Sequence, residues 1–543
     1  MKQQRTPKVL LLILLMSAAI CSQDSYAPQM VTPEESFLKV IPPLMAKWDI
    51  PGASVALARN GRIVMSQAYG LADIAGEVPV TRDSLFRIAS VSKPITSAAI
   101  LKLYEMGLLD LNAKVFDILN DMRPLPGATV DPRLADITIL DLLRHSGGWD
   151  RDISPDPMFQ SARIAQRMDI PSPPASRDII RAMTGVPLDF DPGSRYAYSN
   201  FGYCLLGRII EKITGMSYEG FVTAMILSPA GATGMRQGHS LQAERGGAEV
   251  TYYDYPGAPL VRNIFPDGPE MVPAPYGSFA IEPCDAAGGW LASATDLLRF
   301  LLSIDKNAAT PDILEEATIR LMTSRPPLPE YQQSTSYYAL GWQIRSIGDD
   351  AEWSHTGGLP GAASLMVRMP SIHGKWRQPS EEISYVVLFN SQPADTSFYT
   401  ELEAAMHRAV KNISYWPSDA PGSTLQNSLP LMTRYRNPQR IFDNPIESSP
   451  QSPLAAAETT DAERSSLVEP EKMSASLQDA MLRMTLSVIS LSDSQGERFV
   501  FVNGRKYFEG SIVEGNYFLE HVTLQGALLR YQGEQAVLRL DPR

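Results

Sequence analysis

Strand patterning at two widely separated places is the feature that most limits how this chain can fold. Near the start, "ASVALARNGRIVMSQAYG" (residues 53–70) alternates apolar and polar residues around Asn60-Gly61. That pairing is a strong hairpin signal, because both central residues of the matching turn need positive φ. Some 270 residues later the strand-like runs return as "YALGWQIRS", "AASLMVRM" and "ISYVVLFN", and "TSFYTELEAAMHRAVKNI" then has the spacing of a closing amphipathic helix. The stretch between is rich in helical patterns and in Pro/Gly loops such as "SPDPM" and "PSPPAS". The expectation is an α/β domain over about residues 33–413, with one sheet assembled from both ends and a helical region inserted between them.

From about Ser414 to Gln478 the composition shifts to Ser, Pro, Ala and Glu. Such a segment buries too little apolar surface to offset its ordering entropy, so residues 414–478 read as a disordered linker. Short alternating strands follow, with a second Asn-Gly turn at Asn503-Gly504, so residues 479–543 read as a small all-β domain.

The first residues place Lys2, Arg5 and Lys8 before an apolar run from Val9 to Cys21, the layout of a secretory signal over residues 1–27. The run is short of the roughly 20 apolar residues that span a bilayer. A periplasmic or secreted protein is therefore expected. Cys21 also raises a lipid anchor, but Ile20 before it is larger than the residue such a site favours. Cys204 and Cys284 sit in apolar stretches and read as buried thiols. The net charge of −12 argues against a nucleic-acid partner, which wants a basic face.

The chemistry concentrates in "FRIASVSKPITSAAILKLYEMGLL" (86–109). Ser90 and Lys93 stand at i and i+3, one helical turn apart on one face. A serine needs a base in contact and positive electrostatics for the oxyanion it generates, and a helix N-terminus offers the latter. Pro94 suits a first turn, where its missing N–H costs nothing. Lys93 is a base only when neutral; with a reference pKa near 10.4, about 0.04% is neutral at pH 7, so burial and a neighbouring cation would have to depress it. Alone, Ser-x-x-Lys also fits an N-cap serine and a surface lysine.

Two further segments change that reading. "RYAYSNFGY" supplies Tyr198 and Asn200 at a loop–helix junction, and "EWSHTGGLPG" supplies His355, Thr356, Gly357 and Gly358 before a strand. Ser-x-x-Lys, Tyr-x-Asn and His-Thr-Gly in this order resemble the serine β-lactamase and penicillin-binding protein superfamily. "ITILDLLRHSGGWD" (137–150), "AAGGWLASATDLLRFL" (286–301) and "GLLDLNAKV" resemble phrases of its class C-like branch. The resemblance spans about residues 33–413 and implies a β-lactamase/transpeptidase-like antiparallel sheet flanked by helices.

It implies roles as well. Ser90 would attack the carbonyl and become acylated, and Lys93 would take its proton or hold the proton network. Tyr198 would relay a proton to the leaving group, and Asn200 would hydrogen-bond a substrate amide. His355, Thr356 and Gly357 would line the substrate strand, and the backbone N–H groups of Ser90 and Gly358 would form the oxyanion hole. No cofactor is implied. The six histidines (His145, His239, His355, His373, His407, His521) lack ligand-like spacing, so zinc is not expected, and His145 reads as a structural hydrogen-bonder at a helix end. Histidine in place of the family's lysine before Thr-Gly should weaken the grip on a substrate carboxylate and make it strengthen as pH falls towards 6. It also favours an esterase or D-amino-acid-type peptidase over a dedicated β-lactamase, acting on a small-molecule or peptide substrate.

The tail "FVNGRKYFEG…GALLRYQGEQAVLRL" resembles the C-terminal domain of general secretion pathway protein B, which implies an envelope or secretion-system partner for residues 479–543. A rival from another class is a sensor or scaffold protein, in which a slow or inactive acyl-serine site accompanies contacts made by that tail.

Overall fold

The structure is a computed structural model that describes residues 30–348, 350–370 and 382–416, and in the tail 486–490, 499–502, 505–508, 511–513, 517–523, 526–531 and 534–538. The expected leader with Cys21, most of the linker, and the Asn503-Gly504 turn lie outside the described residues. Contacts divide the chain into two units, Met1–Asp443 and Asn444–Arg543.

The first unit is built on an eight-stranded antiparallel sheet. Its strands are β1 (Gly52–Arg59), β2 (Arg62–Asp73), β3 (Val78–Pro79), β4 (Ser336–Tyr338), β5 (Gln343–Ile347), β6 (Asp350–Leu359), β7 (Ala362–Met369) and β8 (Ile383–Phe389), in the order β3-β2-β1-β8-β7-β6-β5-β4. The first strand lies against the last, Ala53 opposite Phe389 and Arg59 opposite Ile383, so the sheet does close from both ends of the domain. Asn60 and Gly61 turn the β1–β2 hairpin with φ of 51° and 74°. "YALGWQIRS" departs from the expected single strand. Gly341, at φ 81°, turns the chain between β4 and β5, and the Ala339 N–H donates to the Trp342 carbonyl across the turn at 2.8 Å.

Eight helices matter here: α1 (Pro33–Leu38), α2 (Ile41–Lys47), α3 (Ser92–Glu105), α4 (Ile139–Leu143), α5 (Asn200–Thr214), α6 (Asp285–Gly288), α7 (Ala294–Leu302) and α8 (Ser397–Asn412). Strand alternation sorts them to two faces. Val55, Leu57, Leu365, Val387 and Phe389 pack with Phe37, Ile41, Phe398 and Leu402 of α1, α2 and α8. Ala56, Ala58, Met366, Val386 and Leu388 face the inserted helical region, with Ile95, Leu101, Phe201, Leu205 and Leu297 in one core. The terminal helices α1, α2 and α8 are amphipathic covers, whereas α3 is buried from Ser92 to Leu101 on every side. A helix without a wet face has no place to put a lysine except inside. Cys204 and Cys284 are free and buried, as their apolar surroundings indicate.

In the tail unit, Leu486–Ser490, Phe499–Val502 and Arg505–Phe508 form one antiparallel sheet, and Ile512–Val513, Tyr517–Thr523, Gly526–Tyr531 and Glu534–Leu538 another. Val500, Val502, Leu519, Val522 and Leu529 share its small core.

Phe398 anchors α8 through edge-on contacts to Phe389 and Trp48, both with ring centroids at 5.7 Å. Phe398→Ala is expected to destabilise the first unit by about 3–5 kcal/mol, read from the midpoint shift in urea unfolding.

Candidate active site

The nucleophile turn is held on three sides. Ser90 lies in a 3₁₀ turn, Ala89–Val91, that runs directly into α3. Ala89 sits at φ 48°, a left-handed conformation that is costly for a residue with a Cβ and persists only where surroundings impose it. The Ser364 hydroxyl of β7 donates to the Ile88 carbonyl at 2.8 Å, and the Ile88 N–H donates to the Trp290 carbonyl at 3.0 Å. Gly357 of β6 lies so close to the turn that a Cβ there would collide with the Ile88 carbonyl oxygen and the Ser364 hydroxyl. Pro94 falls in the first turn of α3, as its ring requires.

Lys93 is fully buried beneath the serine. Its Nζ lies 3.2 Å from Ser90 Oγ, 2.7 Å from Asn200 Oδ1 and 2.7 Å from the Ala287 carbonyl oxygen. Burial, aided by the charge of Arg151, lowers its pKa to about 7 against the opposing pull of Asp156. Near neutrality the amine therefore has an appreciable neutral fraction. A neutral amine donates two hydrogens, which Asn200 and Ala287 accept, and keeps a lone pair for the third direction, towards the Ser90 hydroxyl. The three partners thus match a general base already in contact with its nucleophile.

Tyr198 comes from the loop before α5 and stands close to the Ser90 side chain. Burial raises its pKa well above that of a free phenol, so it stays protonated and acts as a donor. Lys93 Nζ lies 4.8 Å from the Tyr198 ring centroid. Ser199 caps α5 by accepting from the Gly202 N–H at 3.2 Å, and this fixes where Asn200 begins the helix. Asn200 also donates from Nδ2 to Asp156 Oδ2 at 2.8 Å. Oδ1 and Nδ2 thus each have a partner within the protein.

His145, just past the end of α4, does the structural work expected of it. Its Nδ1 accepts from the Ser199 N–H at 3.2 Å and its carbonyl accepts from the Ala197 N–H at 2.8 Å. Its ring stacks 4.3 Å from that of Tyr198. Complete burial holds its pKa far below the usual imidazole value.

His355 corrects an expectation. Its Nδ1 faces the Thr356 carbonyl oxygen at 2.7 Å, and its Nε2 faces the Tyr338 hydroxyl at 2.9 Å. Burial, reinforced by Lys93, lowers its pKa to about 3. The imidazole is neutral and satisfied throughout the range in which it was expected to titrate, so it supplies no cation whose hold on a carboxylate grows towards pH 6. Thr356 alternates to the other side of the strand and is exposed. Beyond Ser354, β6 pairs with β7 on one side only, because β5 ends at Gln343 opposite Ser354. The edge at residues 355–359 therefore runs beside the nucleophile turn, where Gly357 meets the Ile88 carbonyl and Ala89.

Four predicted residues, Ser90, Lys93, Tyr198 and Asn200, thus converge, with Gly357 and Gly358 alongside. Tyr338, Asp156 and Arg151 were missed: Tyr338 lay inside an apparent strand, and Asp156 and Arg151 lay in loops without a motif. Among the described residues, two histidine–carboxylate groups have ligand-like geometry, His239/Glu244/Glu282 and Glu352/Glu403/His407, and neither shares a residue with the site.

Comparison with known proteins agrees with this fold. A family model described as Beta-lactamase matches residues 37–408. Penicillin-binding protein 4* of Bacillus subtilis (strain 168) is 29% identical over 380 residues, 68% of this chain and 73% of that protein. Esterase EstB of Burkholderia gladioli is 33% identical over 292 residues, 50% of this chain and 69% of that one. Among solved structures, EstCE1, a hydrolase with promiscuous acyltransferase activity, shares the fold with a TM-score of 0.53 at 20% identity, over 69% of this chain and 98% of its own. The D-amino acid amidase from Ochrobactrum anthropi SV3 in complex with L-phenylalanine amide does so with a TM-score of 0.51 at 20% identity, over 70% and 98%.

Two outcomes follow from the geometry. Because the neutral form of Lys93 is the active one, the rate of acylation is expected to rise with pH through about 7 and level off above it, measured by stopped-flow with an activated ester. Gly357→Ala should force the nucleophile turn off β6, costing about 1–3 kcal/mol of stability and lowering kcat/KM well beyond that loss of fold, measured by thermal melting beside steady-state kinetics.

Proposed function

The chain belongs to the beta-lactamase family of serine hydrolases, and from that membership we propose that it is an exported enzyme that hydrolyses esters or peptide-like amides through an acyl-enzyme on Ser90. The observation that carries this reading is the contact of Ser90 Oγ with a fully buried Lys93 whose remaining hydrogen-bonding directions are filled. Lys93 accepts the serine proton as Ser90 Oγ bonds to the substrate carbonyl carbon. The oxyanion then faces the N–H groups of Ser90 and Gly358. As the tetrahedral intermediate collapses, Tyr198 passes a proton to the departing alcohol or amine and is reprotonated through Lys93. Water then attacks the acyl-enzyme by the reverse order of proton transfers and regenerates Ser90.

The locked, neutral His355 supports an ester or peptide substrate over a dedicated β-lactam one, since it offers no fixed positive charge for the carboxylate that a β-lactam carries. The likeness to an esterase over half of the chain points the same way. Export is supported by the basic and apolar N-terminal segment. The resemblance of the tail to secretion protein B supports an envelope partner for residues 479–543.

A fluorophosphonate or fluorescent penicillin probe, followed by intact mass, tests the nucleophile. One adduct is expected on the wild-type chain and none on Ser90→Ala. An adduct that survives in the variant would refute the assignment, and one that never turns over would favour a sensor. A short acyl ester, a cephalosporin and a D-amino-acid peptide assayed side by side should rank the ester or peptide first.

A further inference from the structure

An asparagine can turn either end of its amide to a neighbour, and the two ends place opposite demands on a lysine. Asn200 turns Oδ1 to Lys93 Nζ at 2.7 Å, so the amine donates to it. Reversed, the amide would point its NH2 group at Lys93 and compete for the lone pair that Ser90 needs. The choice between the two is made on the other side of the amide. Asp156 Oδ2 accepts from Asn200 Nδ2 at 2.8 Å and from the Asn200 backbone N–H at 3.3 Å. A carboxylate has no hydrogen to give, so it accommodates the amino end of the amide and not the carbonyl end.

Asp156 is held in turn. Its Oδ1 accepts from the Met158 N–H at 3.0 Å, capping the 3₁₀ turn Pro157–Phe159. Its Oδ2 meets the first residue of α5, where the helix dipole favours an anion. Also facing Lys93 are the Arg151 cation, the Cys284 thiol, the phenols Tyr198 and Tyr203, and the imidazoles His145 and His355. Burial keeps that thiol and those phenols protonated and both imidazoles neutral, which leaves Asp156 as the carboxylate of the group.

We propose that Asp156 is a positioning residue, locking the Asn200 amide so that Lys93 keeps its lone pair on Ser90. The proposal deepens the hydrolase reading above and rests on it. It assigns to one side chain in the loop after α4 two effects on the same amine. The lock aims the lone pair, and the charge opposes the fall of the lysine pKa.

The test follows acylation by p-nitrophenyl acetate in stopped flow across the neutral pH range, on the full chain and on Asp156→Asn and Asp156→Ser, beside thermal melting. A carboxamide at 156 must turn its own NH2 group either on the Met158 N–H or on the Asn200 N–H groups, so the lock is lost. Serine keeps a cap for Met158 but is too short for the amide, and it decides the matter if Asp156→Asn does not fold. In either variant the plateau rate is expected to fall about tenfold with KM unchanged, the size of one charge-assisted hydrogen bond. The midpoint of the pH profile should move below that of wild type, since removing the anion lowers the lysine pKa further. An unchanged plateau would overturn the proposal. So would a lower plateau with the midpoint still at the wild-type pH, which would mark Asp156 as support for its loop alone. Were wild type to show no acylation and Ser90 to take no acyl probe, the hydrolase reading itself would fall; an acylated Ser90 with an unmoved midpoint removes the proposal alone.

Discussion

Everything at this site depends on a lysine amine held out of water. Transfer of an ammonium into a buried position is costly unless it is paired or neutralised, and Lys93 meets that cost by losing its proton near neutrality. Its burial follows from α3, a helix with packing on all sides at its N-terminal end, so the residue one turn after the serine has no route to the surface. The partners then define direction. With Asn200 and the Ala287 carbonyl accepting its hydrogens, the lone pair has one direction left, and Ser90 stands there.

The sheet supplies the counterpart of that constraint. Because β1 pairs with β8, the outer half of the sheet extends from β8 through β7 to β6 without any strand from the hairpin side, and the inserted helices settle on one face. The nucleophile turn is pinned there between β6, β7 and the Trp290 strand, with Ala89 in a strained conformation. A glycine at 357 lets the strand and the turn approach within van der Waals range. Backbone groups of a strand edge and the end of a buried helix are therefore brought to one point by the topology, and the side chains complete it.

Much of this was legible in the chain. The Asn60-Gly61 hairpin, the returning strands and the closing helix follow from short-range patterning, which is local and therefore readable. Ser90, Lys93, Tyr198 and Asn200 follow from motifs whose order resembles that of the serine β-lactamase and penicillin-binding superfamily. What stayed hidden was set by contacts distant in sequence. His355 looked like an available imidazole, and only its burial against Tyr338, 17 residues away, makes it inert. The run 338–346 looked like one strand, since a single Gly341 gave little warning that the chain turns where it meets α3. Asp156 sat between two prolines in an ordinary loop, yet it fixes the orientation of Asn200 from 44 residues away.

The central claim is that Lys93 loses its proton near neutrality in the resting protein. NMR titration of the chain labelled with ¹³C at the lysine ε-carbons, with Lys93→Met to assign the resonance, measures it directly. The account predicts one lysine signal with an inflection near pH 7, absent from the variant. A Lys93 resonance that stays in the ammonium position up to pH 10 would contradict it, because the serine would then be without its base.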